Sequence, residues 1–390
     1  MTTPIIIAIC FLLILAYLFD ISSSKTKIPS VILLLMVGWV VKQGTVFFRI
    51  SVPDLTAILP ILGTVGLILI VLEGSLELEL NASKFSFVGK TALVALIPIL
   101  IFSFGLAYIF QCFGNMSLKI ALANAIPFAV ISSAIAIPSV QNLTGNDKEF
   151  ITYESSLSDI FGVLFFNFIT LNDNIGTESI GHFIIELLII LIVTVVATVG
   201  LAYLLSKIKH HVKFIPIILI VVMIYAISKI YHLPALIFIL LFGLFLGNLD
   251  ELKENKFIQK LEPNILNKEV HKFKELTTEI AFLVRALFFL LFGYLIETNE
   301  LLNTETILWA IGICVGIFVL RFVLLKLFTQ NSKPLLFIAP RGLITILLFL
   351  SIPYGQTIDI ANKSLIIQVI ILTALMMMFG LMTTNQNQQK

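Results

Sequence analysis

Apolar runs about 20 residues long recur along nearly the whole 390-residue chain, and no other feature restricts its fold as strongly. A bilayer core needs about 20 apolar residues per helix. A window of that length places thirteen spans, at roughly 4–20, 28–42, 55–76, 91–112, 118–140, 150–172, 180–206, 214–230, 233–249, 276–296, 305–328, 334–353 and 364–384. The runs lack the two-residue alternation of barrel strands, so the expected fold class is an all-α polytopic membrane protein. Composition agrees: 59% of residues are hydrophobic and 12% charged, against about 25% charged in soluble domains. A soluble globule could not bury that much apolar surface, which excludes soluble enzymes, nucleic-acid binders and disordered chains. Cys10, Cys112 and Cys314 lie far apart in apolar runs and are expected to be inert core residues. The run from Pro4 to Tyr17 has no preceding basic residue and no small-residue cleavage site, so it is expected to remain as a helix.

Lys and Arg favour cytoplasmic loops. With the N-terminus outside, 17 of the 25 fall in inner loops, and five (Lys42, Arg49, Lys119, Lys229 and Lys363) fall in outer loops. Arg285, Arg321 and Arg341 lie inside spans. One missed span would scramble the alternation after it, so the asymmetry supports thirteen spans, N-terminus outside and C-terminus in the cytoplasm. The stretch from Asp250 to Glu275 mixes Lys and Glu with Phe257, Ile258, Leu261, Ile265 and Leu266, and reads as an amphipathic surface helix or linker. The Asn/Gln-rich tail Thr383–Lys390 is too short for a cytoplasmic module. Thirteen spans divide as six, one and six, which turns the second six upside down relative to the first: an inverted repeat of six helices.

Ionisable groups at membrane depth are costly and usually functional. In span six, Tyr153-Glu154-Ser155-Ser156-Leu157-Ser158-Asp159 puts Asp159 about 13 Å from the inner end, near the midplane. Ser155 and Asp159 share a face, as do Glu154 and Ser158. Ser156 is expected to donate to the carbonyl four residues back, as buried serines commonly do. Span five carries Ser132 and Ser133 between Pro127 and Pro138, which predicts a helix broken near mid-depth. Span twelve carries Pro340-Arg341-Gly342 and is expected to be interrupted too. Arg321 lies about 10 Å from the inner end of span eleven and Glu154 about 6 Å from that of span six, depths compatible with a pair. Arg285 is level with Asp159, and depth leaves the partner of Asp159 open. Glu73, Glu77, Glu79 and Glu186 lie near span ends and are expected to reach water. His182, His210, His211, His232 and His271 lie in or near loops and suggest no metal cluster.

Four stretches carry a family resemblance. Glu154-Ser155-Ser156-Leu157-Ser158-Asp159 resembles the Glu-Ser-Leu-Leu-Asn-Asp motif of the sodium/hydrogen exchanger family of the cation:proton antiporter superfamily. Ser132-Ser133-Ala134-Ile135-Ala136-Ile137 resembles its Thr-Asp-Pro-Val-Ala-Val crossing segment. Leu72-Glu73-Gly74-Ser75-Leu76-Glu77-Leu78 is similar to its Leu-Glu-Gly-Gly-Leu-Glu-Leu signature, and Pro340-Arg341-Gly342-Leu343 to its second crossing segment. The resemblance implies a homodimer with a dimerisation part at about 1–80 and 214–296, a moving core at about 91–172 and 305–384, and a linker helix at about 180–206. It implies that Asp159 carries ion and proton, that Glu154 pairs with Arg321, and that Arg285 and Arg341 compensate charge. Ser158 stands where the family has Asn, Ser133 where it has Asp, and Ala134 where it has Pro. One carboxylate is therefore missing from the usual neighbourhood.

Burial disfavours a bare charge on Asp159, so a proton and a small cation are expected to compete for it. Ser155, Ser158 and carbonyls near Ser132 and Ser133 would supply hard oxygen ligands suited to Na⁺. Only a neutralised site crosses the low-dielectric barrier, which couples the fluxes one for one. The expected activity is Na⁺/H⁺ antiport in a bacterial-type inner membrane, without a cofactor; Li⁺ or K⁺ could serve as the cation. The alternatives are K⁺/H⁺ exchange, or an ion sensor or channel on the same fold. No His/Cys cluster, Ser-His pair at common depth or Gly-rich phosphate loop points to an enzyme.

Overall fold

Pairing every backbone amide inside a bilayer requires helices or a closed barrel. In the computed structural model, all regular structure among the described residues is helical. These residues are 2–78, 84–141, 143, 145–172, 176–208, 210, 212–251, 259, 263–328 and 333–384. The helices are α1 Thr2–Thr26, α2 Ser30–Phe47, α3 Ile58–Glu77, α4 Phe85–Phe113, α5 Leu118–Ala129, α6 Ser133–Ser139, α7 Gly145–Leu171 and α8 Thr177–Lys207. They continue as α9 Phe214–Ile230, α10 Ala235–Gly247, α11 Pro263–Tyr294, α12 Thr298–Leu301, α13 Thr304–Phe328, α14 Lys333–Phe337, α15 Leu343–Leu350 and α16 Lys363–Thr384.

Among the described residues, ten segments are helical, long and apolar enough to cross a membrane, with α5 and α6 counted together as Leu118–Ser139. Thirteen spans require three more: α9 and α10, at 17 and 13 residues, and the short pair α14 and α15. Large apolar side chains such as Ile6, Phe11 and Ile14 on α1 and Leu188, Ile192 and Val196 on α8 lie exposed, as suits a surface bathed by hydrocarbon rather than water.

Helix α11 begins 13 residues before the expected span ten. Leu266, Val270, Phe273, Thr277 and Ala281 are buried at intervals of three and four, while His271 and Glu275 face outward. One amphipathic stripe thus runs from the polar stretch into the apolar one, and the helix does not break between them. The rest of the expected surface element, 252–258 and 260–262, lies outside the described residues, as do Glu79 and His211. The cysteines also depart from expectation: Cys314 is buried, but Cys10 and Cys112 are exposed.

Contacts divide the chain into two compact units. The first comprises Met1–Thr64, Thr91–Phe166 and Leu283–Lys390; within it α13 packs on α16, α1 on α2, and α15 on α5. The second comprises Val65–Lys90 and Asn167–Phe282; within it α8, α9 and α10 pack on one another. Asn248 Nδ2 donates to Leu78 O at 2.8 Å and Leu244 O at 2.7 Å, tying the end of α10 to the end of α3. The polar residues singled out in spans five, six, eleven and twelve all belong to the first unit.

Candidate functional site

The first unit holds two places where the backbone leaves the helix deep in the protein. Between α5 and α6 the chain is extended at Val130–Ser132, and between α14 and α15 it is non-helical at 338–342. Both segments are fully buried, so every backbone group needs a partner. Ile131 N–H donates to Ser158 Oγ at 2.9 Å, Ser132 N–H to Pro340 O at 2.9 Å, and Ser133 N–H to Asp159 Oδ2 at 3.4 Å. The carbonyls of Phe128 and Ala129, which a continuing helix would have used, accept from Arg341 Nε at 2.7 Å and Nη2 at 3.2 Å. Arg341 Nη1 reaches Ala339 O at 2.8 Å, and the Arg341 amide donates to Thr373 Oγ1 at 3.1 Å. Each interruption therefore supplies the polar groups that satisfy the other.

Two glycines permit this approach. A Cβ on Gly342 would lie 3.0 Å from Ser132 Oγ and 2.5 Å from Ile135 Cδ1. A Cβ on Gly162 of α7 would lie 2.3 Å from Val130 Cγ2, so only glycine lets α7 sit against the extended segment.

Asp159, 2% exposed, lies on α7 beside the start of α6. Its Oδ2 accepts from the Ser133 hydroxyl and amide, whereas its Oδ1 has no hydrogen-bond partner. No arginine reaches it. Glu154, on the same helix, is fully buried and is gripped through both oxygens by Arg321, Nη1–Oε1 at 2.6 Å and Nη2–Oε2 at 2.8 Å. Arg321 Nε donates to Leu335 O at 2.8 Å. This is a planar, bidentate pair with a further donor satisfied, the arrangement in which a buried ion pair is tolerated. Arg285 is buried but pairs with neither carboxylate.

The hydroxyls divide differently from the reading by helical spacing. Ser155 Oγ donates to Ile151 O at 2.7 Å, the bond expected of Ser156. Ser156, 1% exposed, makes no such bond and has no partner. Ser158 Oγ is occupied by the Ile131 amide, while Ser132 Oγ is buried and unpartnered. Thr345 Oγ1, on the first turn of α15, is also fully buried and unpartnered; sequence reasoning passed over it because a threonine in an apolar run looks like core. The role of Thr373 as acceptor for the Arg341 amide carried no local signal either.

Chemically, the first unit presents one carboxylate oxygen and several neutral hydroxyls without partners, at positions sealed from water. Such hard oxygens suit a small monovalent cation or a proton. Among the described residues no group of three or more His, Cys, Asp or Glu side chains could hold a resident metal.

The family described as sodium/hydrogen exchanger, transmembrane, matches residues 9–384. Among solved structures, the sodium proton antiporter MjNhaP1 from Methanocaldococcus jannaschii at pH 8 superposes with a TM-score of 0.69 at 18% identity, covering 97% of this chain and 100% of that one. A three-dimensional electron-microscopy map of the same antiporter gives 0.67 at 19% identity, covering 98% and 95%. At that identity the likeness shows a shared fold. No curated protein matches the sequence.

Proposed function

Because the chain belongs to the sodium/hydrogen exchanger family, we propose that it is a monovalent cation/proton antiporter, exchanging Na⁺ for H⁺ one for one as Asp159 takes cation and proton in turn. One observation carries the reading: Asp159 is sealed in the protein with one oxygen held by Ser133 and the other unpaired, while the neighbouring carboxylate, Glu154, is neutralised by Arg321. Glu154 is thus spoken for, and Asp159 is left for the ion. A bare buried carboxylate is costly, so the site moves only when loaded, and loading by either species blocks the other. Ser155, Ser158, Ser132 and Ser133 surround the carboxylate on this reading, Arg321 and Arg341 hold the frame, and Arg285 supplies compensating charge. Transport follows alternating access in a homodimer of thirteen-span subunits in a bacterial-type inner membrane, the part at 91–172 and 305–384 moving against the part at 1–80 and 214–296.

The test is cation-dependent dissipation of a pH gradient in proteoliposomes, comparing Na⁺, Li⁺ and K⁺. A Na⁺ response abolished by Asp159→Asn is the expected result; a variant that still exchanges refutes the assignment. A response to K⁺ alone selects the K⁺/H⁺ reading. One departure favours a second reading: Ser133 stands where the family carries Asp, so the site has one carboxylate fewer. Silence toward all three cations from about pH 6 to 9 would favour an ion sensor, and Ser133→Asp would then be the first change to make.

A further inference from the structure

We propose that Ser156 is a further ligand of the transported cation, standing beside the free Oδ1 of Asp159; this rests on the cation-exchange reading above. Serine and threonine hydroxyls in apolar helices ordinarily donate to the carbonyl four residues back. Thr152, Ser155, Thr194, Thr277 and Thr373 all do so here, at 2.7–2.9 Å. Ser156 does not, although it is 1% exposed and the carbonyl of Thr152 is there to be used. A buried hydroxyl left without a partner costs about 1–3 kcal/mol, so its persistence calls for a ligand. Ser156 and Asp159 are three apart on one continuous helix and share a face. Asp159 Oδ2 is turned to Ser133, and Oδ1 is the oxygen left over. Two unpartnered oxygens on one turn, one charged and one neutral, make a two-point site for a small hard cation.

The position is also where this chain departs from its family. The exchanger motif resembled by Glu154–Asp159 has Leu where Ser156 stands, and Asp where Ser133 stands. A carboxylate is lost on α6 and a hydroxyl gained on α7. The site thereby keeps an oxygen ligand while losing one negative charge.

The experiment uses the full chain in proteoliposomes, with Na⁺ varied at fixed pH, and thermal unfolding in detergent with and without Na⁺. Ser156→Ala is expected to raise the half-saturating Na⁺ concentration about tenfold without lowering the Na⁺-free unfolding temperature. Ser156→Thr, which keeps the hydroxyl, should stay within about threefold of wild type. Wild-type half-saturation in Ser156→Ala overturns the proposal, whether or not the variant unfolds earlier, because a packing role would move stability alone. If Asp159→Asn keeps wild-type saturation while Ser156→Ala loses it, the assignment of the carrier to Asp159 falls and Ser156 stands. If the wild-type protein shows neither exchange nor stabilisation by Na⁺, Li⁺ or K⁺, both fall together.

Discussion

At the scale of single residues, the Glu154–Arg321 pair and Asp159 behave as opposites on one helix. The pair is buried and saturated, so removing either partner strands a charge. Arg321→Leu is expected to destabilise by about 3–5 kcal/mol, and the double variant with Glu154→Leu to recover most of that loss. The order of unfolding temperatures in detergent, single variant below double, checks this; a double variant no better than Arg321→Leu would contradict it. Lys42 and Glu297, 2.7 Å apart, form a pair of the other kind, with Glu297 60% exposed. The Lys42 hydrogen bond and charge hold the Glu297 carboxyl below its ordinary value of 4.5. Its contribution is therefore present above about pH 4.5 and lost as pH falls through the lower folded value. Lys42→Ala should destabilise slightly at pH 7, by well under about 1 kcal/mol, and the difference from wild type should shrink as the pH falls below about 4.5.

At the scale of elements, the helices differ in how much their contacts depend on missing side chains. Where α2 meets α11, a Cβ on Gly293 would lie 2.3 Å from Leu35 O, and one on Gly38 would lie 2.2 Å from Leu290 O. Backbone cannot give way as a side chain does, so Gly293→Ala should cost about 1–3 kcal/mol. Gly312 on α13 has nothing within 4 Å of its Cβ, and Gly312→Ala should be neutral or stabilising by up to about 1 kcal/mol. Thermal unfolding of the two variants side by side separates them; equal behaviour would mean that α2 and α11 do not approach so closely. The elements themselves were largely legible, because apolar length is a strong signal at this hydropathy. The start of α11 was not, since a polar amphipathic stretch and an apolar span look like two elements until one buried stripe joins them. Depth along a helix placed Glu154 and Arg321 within reach, and they meet. Depth could not foretell which hydroxyl of Ser155 and Ser156 turns back on its own helix, because that is a rotamer set by the packed surroundings. Nor could it foretell that Arg341 would hold carbonyls 212 and 213 residues away, since that bond exists only once the two interruptions face each other.

At the scale of the whole molecule, the consequence that matters most is the parity of the spans. An inverted repeat would place the interruption at Val130–Ser132 and the one at 338–342 in segments that enter the membrane from opposite sides, which would let them meet end to end near mid-depth. A separation of seven spans between counterparts requires that α9 and α10 each cross, although they are 17 and 13 residues long. If that pair instead formed a single crossing, the Lys/Arg asymmetry would reverse for everything after Leu249. The prediction is therefore sharp at two positions. In a background with Cys10, Cys112 and Cys314 replaced, a cysteine at Asn303, between α12 and α13, should react with an impermeant maleimide added outside intact cells. A cysteine at Asn146, at the start of α7, should react only after the membrane is opened. Labelling of both from outside, or of neither, would break the parity and with it the inverted arrangement; labelling of Asn303 alone keeps an odd number of crossings between the two positions, as separate crossings by α9 and α10 require.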